Sequence, residues 1–184
     1  PVTTYDGRAY LNAIDKTYDL IMVDAYQDIT IPFQMSSVEF FSLVHDHLTD
    51  DGVMVVNMNM HSDEEGNITD YLSDTISRCF KNVCTADVSG STNRELFASD
   101  SVDLTDALLS STDKIQNEKL KALMEKVGSS LTPYKAKGYI LTDDNAPVEL
   151  LGMRVIDGLI SRELAYYQDI FREQGFSGLL GMVS

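Results

Sequence analysis

A continuous apolar run closed by an acid, Leu20-Ile21-Met22-Val23-Asp24, constrains the fold of this chain more than any other feature. Successive apolar residues without polar alternation read as a strand buried on both faces, the pattern of a parallel sheet in an α/β domain. In open α/β sheets ligands sit outside the carboxyl ends of the strands. Asp24 therefore faces a crevice. Asp6 faces the same one, because Val2 to Tyr5 reads as a strand end and a short helix is predicted over 8–15.

The pattern downstream keeps alternating. Ser36 or Ser37 caps a helix reaching Leu48, with Val38, Phe41, Val44 and Leu48 at helical spacing. Asp50-Asp51-Gly52 reads as a turn, and Val53 to Met60 as the next strand. Ile68, Leu72, Ile76 and Phe80 mark a second amphipathic helix that starts near Asn67 or Thr69. Cys84 to Val88 and Glu95 to Ser99 read as a hairpin across a polar turn. Two helices follow between Leu104 and Val127, then a polar connection holding Pro133. A long helix starts at Pro147, capped by Asn145, and runs to about Glu173, ahead of a frayed glycine-rich tail. The fold class is α/β, a Rossmann-like domain whose mostly parallel sheet carries an antiparallel hairpin at one edge. Residues 1–151 form the domain, and 152–184 a helical extension packed on it.

At 184 residues and 43% hydrophobic content the chain suits one domain with a sizeable core. The formal charge of −15 argues against nucleic-acid binding. It fits plain solubility or a cationic substrate such as a polyamine. Cys79 and Cys84 lie on a predicted helix and strand, so they read as reduced thiols in a reducing, cytoplasmic compartment. No apolar run reaches membrane-spanning length. Pro1 is not an initiating residue, so the chain is expected to be a piece of a longer protein or a product that has lost its N-terminus.

Several residues could carry chemistry. Asp6 can accept a hydrogen bond from an exocyclic amine while Gly7 lets the backbone approach a flat ring. An ordinary helix cap is the competing reading of Asp6. Asp24 can act as a general base or anchor an ammonium group, or it simply caps the next loop. Asn57, Asn59 and His61 alternate along a strand end, lining the acceptor side of the crevice, binding a metal through His61, or, the commoner case, bonding a loop. His45 and His47 read as structural or surface groups, and no metal site is expected. Asp143-Asp144 closes the crevice or, the reading preferred here, caps the helix after Pro147.

The run Asp6-Gly7 followed by Ile21-Met22-Val23-Asp24 resembles the second half of the nucleotide site in spermidine synthases. That family has the class I S-adenosylmethionine-dependent methyltransferase fold. The set Asp24-Ala25-Tyr26, Ile31-Pro32, Ser37-Val38-Glu39-Phe40-Phe41 and Leu141-Thr142-Asp143-Asp144-Asn145-Ala146-Pro147 is more specifically similar to spermidine synthase-like proteins that are often fused to membrane segments.

The resemblance implies that Asp6, Gly7 and Asp24 bind S-adenosylmethionine or its decarboxylated form, and that Asp24 deprotonates an acceptor amine. Tyr26, Gln27, Asp28 and Asn57 are the substrate-side candidates. Gln27 stands where spermidine synthases place a second acid, with Asp28 one residue later. The expected function is aminopropyl or methyl transfer to an amine. The alternative is an inactive remnant of the fold that serves as a regulatory or interaction domain. The resemblance also implies two strands and a glycine-rich turn ahead of Pro1, and the soluble part of a cytoplasmic or membrane-anchored parent. The edge at Leu20 to Asp24 should then be covered by a second copy or by that N-terminal part.

Overall fold

The computed structural model of the chain describes residues 4–25, 31–59, 64–100 and 103–180, with the side chains of 159 and 176–180 excepted. Helix α1 (Gly7–Asn12) leads into strand β1 (Tyr18–Val23), and α2 (Val38–Asp46) into β2 (Leu48–Met58). Helix α3 (Ile68–Ile76) precedes β3 (Asn82–Asp87), which turns back as β4 (Arg94–Ser99). A helix pair, α4 (Leu104–Thr112) and α5 (Glu118–Ser130), is followed by the short β5 (Thr132–Pro133) and the long α6 (Val148–Leu180).

Side-chain caps set the helix starts where the sequence placed them. Asp6 Oδ1 accepts from Ala9 N at 2.7 Å, Ser37 Oγ from Phe40 N at 3.3 Å, and Asn67 Oδ1 from Thr69 N and Asp70 N. The sheet order is β1-β2-β4-β3-β5. β1 and β2 are parallel, whereas β2–β4, β3–β4 and β3–β5 are antiparallel, so the sheet is mixed. The core lies on one face. There Phe40, Phe41 and Val44 of α2, Leu72 and Ile76 of α3, and Val148, Leu151 and Val155 of α6 meet Val23, Met54, Val56, Met58 and Leu96.

Strand β1 departs from its expected burial on both faces. Val23 is buried, but Leu20 and Met22 stay 52% and 69% exposed. Among the described residues β1 has β2 as its one sheet neighbour, and α4 and the end of α5 stand over the opposite face. They leave an apolar groove of about 290 Å³ between Leu20, Val53, Val55 and Phe97 of the sheet and Leu104 and Leu108 of α4. The Asp50-Asp51-Gly52 segment likewise lies inside β2 instead of ahead of it. Tyr18 pairs with Leu48 and Leu20 with Val53, so two steps on β1 oppose five on β2 and the extra residues bulge. Gly52 is required there, because a Cβ would stand 2.9 Å from Leu48 Cβ and from Thr49 O.

The segment between β5 and α6 is held from below by a buried carboxylate. Asp74 of α3 accepts from the Tyr134 hydroxyl at 2.7 Å, from Gly138 N and Tyr139 N at 2.6 Å each, and from Lys137 N at 3.0 Å. Burial and the two acids Asp74 and Asp70 push the Tyr134 phenol far above its ordinary value. Asp70 alongside accepts from Lys137 Nζ at 3.2 Å. Asn145 does not cap α6 as expected. It closes a backbone turn with Thr142, and α6 begins after Pro147. Gly175 breaks α6 with φ 63° close to its expected end, after which the helix resumes to Leu180. No helix among the described residues is long and apolar enough to cross a membrane.

Candidate active site at the carboxyl end of β1

Helix α1 runs back along β1. Its Tyr10 hydroxyl lies 3.4 Å from that of Tyr18 at the start of the strand. Its N-terminus packs on the segment that follows the loop after Asp24. There Arg8 Nη1 donates to Gln34 O at 2.9 Å, and a Cβ on Gly7 would stand 3.5 Å from the Met35 methyl. Asp6 and Asp24 are thereby directed to the same end of the sheet.

Packing does not demand a glycine at position 7, since 3.5 Å is ordinary contact and its φ is not positive. The Met35 methyl is its near neighbour, and Asp6 beside it is exposed. Asp6 spends Oδ1 on its helix cap.

Asp24 is exposed at the end of β1, and Asn57 of β2 donates Nδ2–H to its Oδ1 at 3.1 Å. Asn57 Oδ1 is buried and has no hydrogen-bond partner among the described residues. Asn59 accepts from Thr92 Oγ at 3.2 Å and so binds the hairpin turn. The sequence missed one residue here, Glu95. It sits opposite Asn57 in the β2–β4 register. Burial, and after it the charge of Asp24, raises its carboxyl above the ordinary range. Its only sequence signal was a charged residue on the strand face that also carries Phe97. Tyr26, Gln27, Asp28 and His61 lie outside the described residues.

Asp143 does not cap α6 as the sequence suggested. It forms a two-pronged ion pair with Arg8, Nη1–Oδ1 at 2.8 Å and Nη2–Oδ2 at 2.6 Å, and accepts from Ser37 Oγ at 2.5 Å. Its own N–H donates to Glu39 at 3.0 Å. The Arg8 guanidinium, then the Ser37 hydroxyl, hold its carboxyl below the usual range against the opposing effect of burial. A single carboxylate thus fastens the start of α1 to the start of α2.

A separate cavity of about 280 Å³ opens at the amino end of β2, where Asp100 meets His45 Nε2 and Lys81 Nζ at 3.3 Å each. It lies at the wrong end of the strands for the site built on Asp24. His47 is tied to Lys16 O at 2.7 Å and is structural. No group of three metal-ligating side chains occurs among the described residues.

The α/β architecture is that of class I methyltransferases. Human methyltransferase-like protein 13, solved in complex with SAH, superposes with a TM-score of 0.51 at 20% identity, over 78% of this chain and 65% of that one. The spermidine synthase of Thermotoga maritima superposes with a TM-score of 0.56 at 21% identity, over 70% and 45%. The chain belongs to the spermine/spermidine synthase domain family, whose model matches residues 1–93. It is similar to a "Probable polyamine aminopropyl transferase" of Bifidobacterium longum, with 50% identity over 200 aligned positions that take in 100% of this chain and 45% of the relative. The chain thus spans less than half the length of that curated relative.

Proposed function

We propose that the protein containing this chain transfers an aminopropyl group from decarboxylated S-adenosylmethionine to an amine, with its adenine and amine subsites formed by Asp6 and Asp24. What supports this reading is that Asp6 caps the N-terminus of α1 and Asp24 follows the end of β1, in a chain 50% identical to a "Probable polyamine aminopropyl transferase". Asp6 and Gly7 would hold the adenine. The donor's sulfonium supplies an activated carbon, so the protein's task is to position the amine and remove its proton.

Asn57 occupies Asp24 Oδ1, which leaves Oδ2 to take that proton as the new N–C bond forms and the C–S bond breaks. The sulfur leaves as methylthioadenosine. Tyr26, Gln27 and Asp28 remain the candidates for the amine side. The reading is tested on the full-length protein by calorimetry with decarboxylated S-adenosylmethionine, S-adenosylmethionine and methylthioadenosine. Release of methylthioadenosine is then followed in the presence of 1,4-diaminobutane. We expect the decarboxylated donor to bind and turn over. Asp6→Ala should weaken donor binding about tenfold, the worth of one charge-assisted hydrogen bond. Asp24→Asn should cut kcat by roughly a hundredfold or more. Binding of none of the three nucleosides would remove the enzyme reading and leave the inactive remnant.

A further inference from the structure

We infer that Glu95 is the second anionic wall of the amine subsite, so that an acceptor ammonium is held between the carboxylates of Asp24 and Glu95. The inference rests on the proposed site at Asp24 and gives Glu95, across β2 on β4, a role in it.

The sheet register carries the argument. Val23 pairs with Val56, which sets Asp24 beside Asn57, and Asn57 pairs with Glu95. Side chains alternate along strands, so the three project from one face of the sheet, the face that Leu20, Val55 and Phe97 also share. They form a row across β1, β2 and β4, with Asn57 in the middle.

The row offers acceptors without matching donors. Asn57 gives its one described hydrogen bond to Asp24, and its Oδ1 is buried with no partner among the described residues. Glu95 is half-buried and takes part in no ion pair among the described residues. The adjacent cation, Arg94, is engaged by Asp87 at 2.6 Å. Two carboxylates and an orphaned amide oxygen complement an ammonium group, a compact charge with three N–H donors. Burial and the Asp24 charge already raise the Glu95 carboxyl, as expected where negative charge is crowded and a bound cation would relieve it. The ligand class is therefore a primary alkylamine or diamine.

The test uses the full-length protein and 1,4-diaminobutane. Glu95→Gln keeps the shape and removes a half-buried charge, so folding is not at risk, and donor binding serves as the check. We expect the KM for 1,4-diaminobutane to rise about tenfold or more with kcat changed less than about threefold, because the lost contact serves binding and not the chemical step. Glu95→Asp should recover part of the loss. Direct calorimetry with the amine should show the same weakening in Glu95→Gln. Normal turnover with an unchanged amine KM in Glu95→Gln overturns the inference and leaves the proposed function standing. Amine binding that depends on Glu95 in a protein without transferase activity supports the subsite and defeats the proposed function. A wild-type protein that neither binds the amine nor turns over defeats both.

Discussion

Replacing Asp74 with asparagine is the sharpest test of how the segment ahead of α6 is held. The carboxylate is fully buried and accepts from four donors, the Tyr134 hydroxyl and the amides of Lys137, Gly138 and Tyr139. An asparagine keeps the three amides only by turning its oxygen toward Gly138 and Tyr139, which sets its NH₂ against the Tyr134 hydroxyl. Three charge-assisted bonds then become neutral ones, at about 1 kcal/mol each, for a loss of about 3 kcal/mol. One effect opposes this. Removing a buried charge recovers its desolvation penalty, and in some buried ion clusters that gain cancels the loss. The geometry decides between them here: all four donors are aimed at the oxygens, so little of the penalty is left uncompensated.

A local loss of 3 kcal/mol corresponds to roughly a hundredfold faster opening at the affected amides. Hydrogen–deuterium exchange of the full-length protein, read on the peptide covering Lys137 to Leu141, measures it directly. Exchange should accelerate there and in α1, because the same segment carries Asp143 to its pair with Arg8. Exchange at Lys137, Gly138 and Tyr139 that stays within about threefold of wild type would mean desolvation dominates and the clamp is neutral.

Two further outcomes concern the Arg8–Asp143 pair and the exposed strand β1. Asp143 has a folded pKa below its unfolded one, chiefly because of Arg8, so its stabilisation is complete above the ordinary carboxylate range and is lost as pH falls through the lower folded value. Exchange in α1 should be flat near pH 5 and quicken only in stronger acid, with Arg8→Ala removing that acid step; a step unaffected by Arg8→Ala would locate the titration elsewhere. Leu20→Lys should change the stability of this 184-residue chain by no more than about 0.5 kcal/mol, since Leu20 is 52% exposed. If the rest of the full-length protein or a second copy covers β1, the same substitution there buries a charge and should cost about 2 kcal/mol or more; equal melting shifts in both would show the edge to be open.

What the sequence disclosed was local in origin. Asp6, Ser37 and Asn67 could be read as caps because an N-cap acts on amides two or three residues away. The hairpin of β3 and β4 was legible because its turn lies between its strands. The position of β4 between β2 and β3 was not, since strand order depends on pairings that no short window contains. For the same reason the burial of Leu20-Ile21-Met22-Val23 was only half right. An unbroken apolar run states what a strand needs on both faces, while the described residues supply full cover for one.

The two acids that mattered most outside the expected site show where local reading stops. Asp143 precedes a proline-led helix, and every short-range rule makes it a cap; its real partner, Arg8, lies 135 residues away. Glu95 was only the first residue of a strand read from the sequence. Only the pairing of β4 with β2, and of β2 with β1, turns it into the third member of a row with Asn57 and Asp24. In both cases the residue type was visible and its partner was not. An acid's role depends on the charge it faces, and that charge is placed by the sheet, not by the neighbouring sequence. The functional residue to seek in such a chain is therefore the charged side chain that shares a sheet face and a register with a strand-end acid, however ordinary its own segment looks.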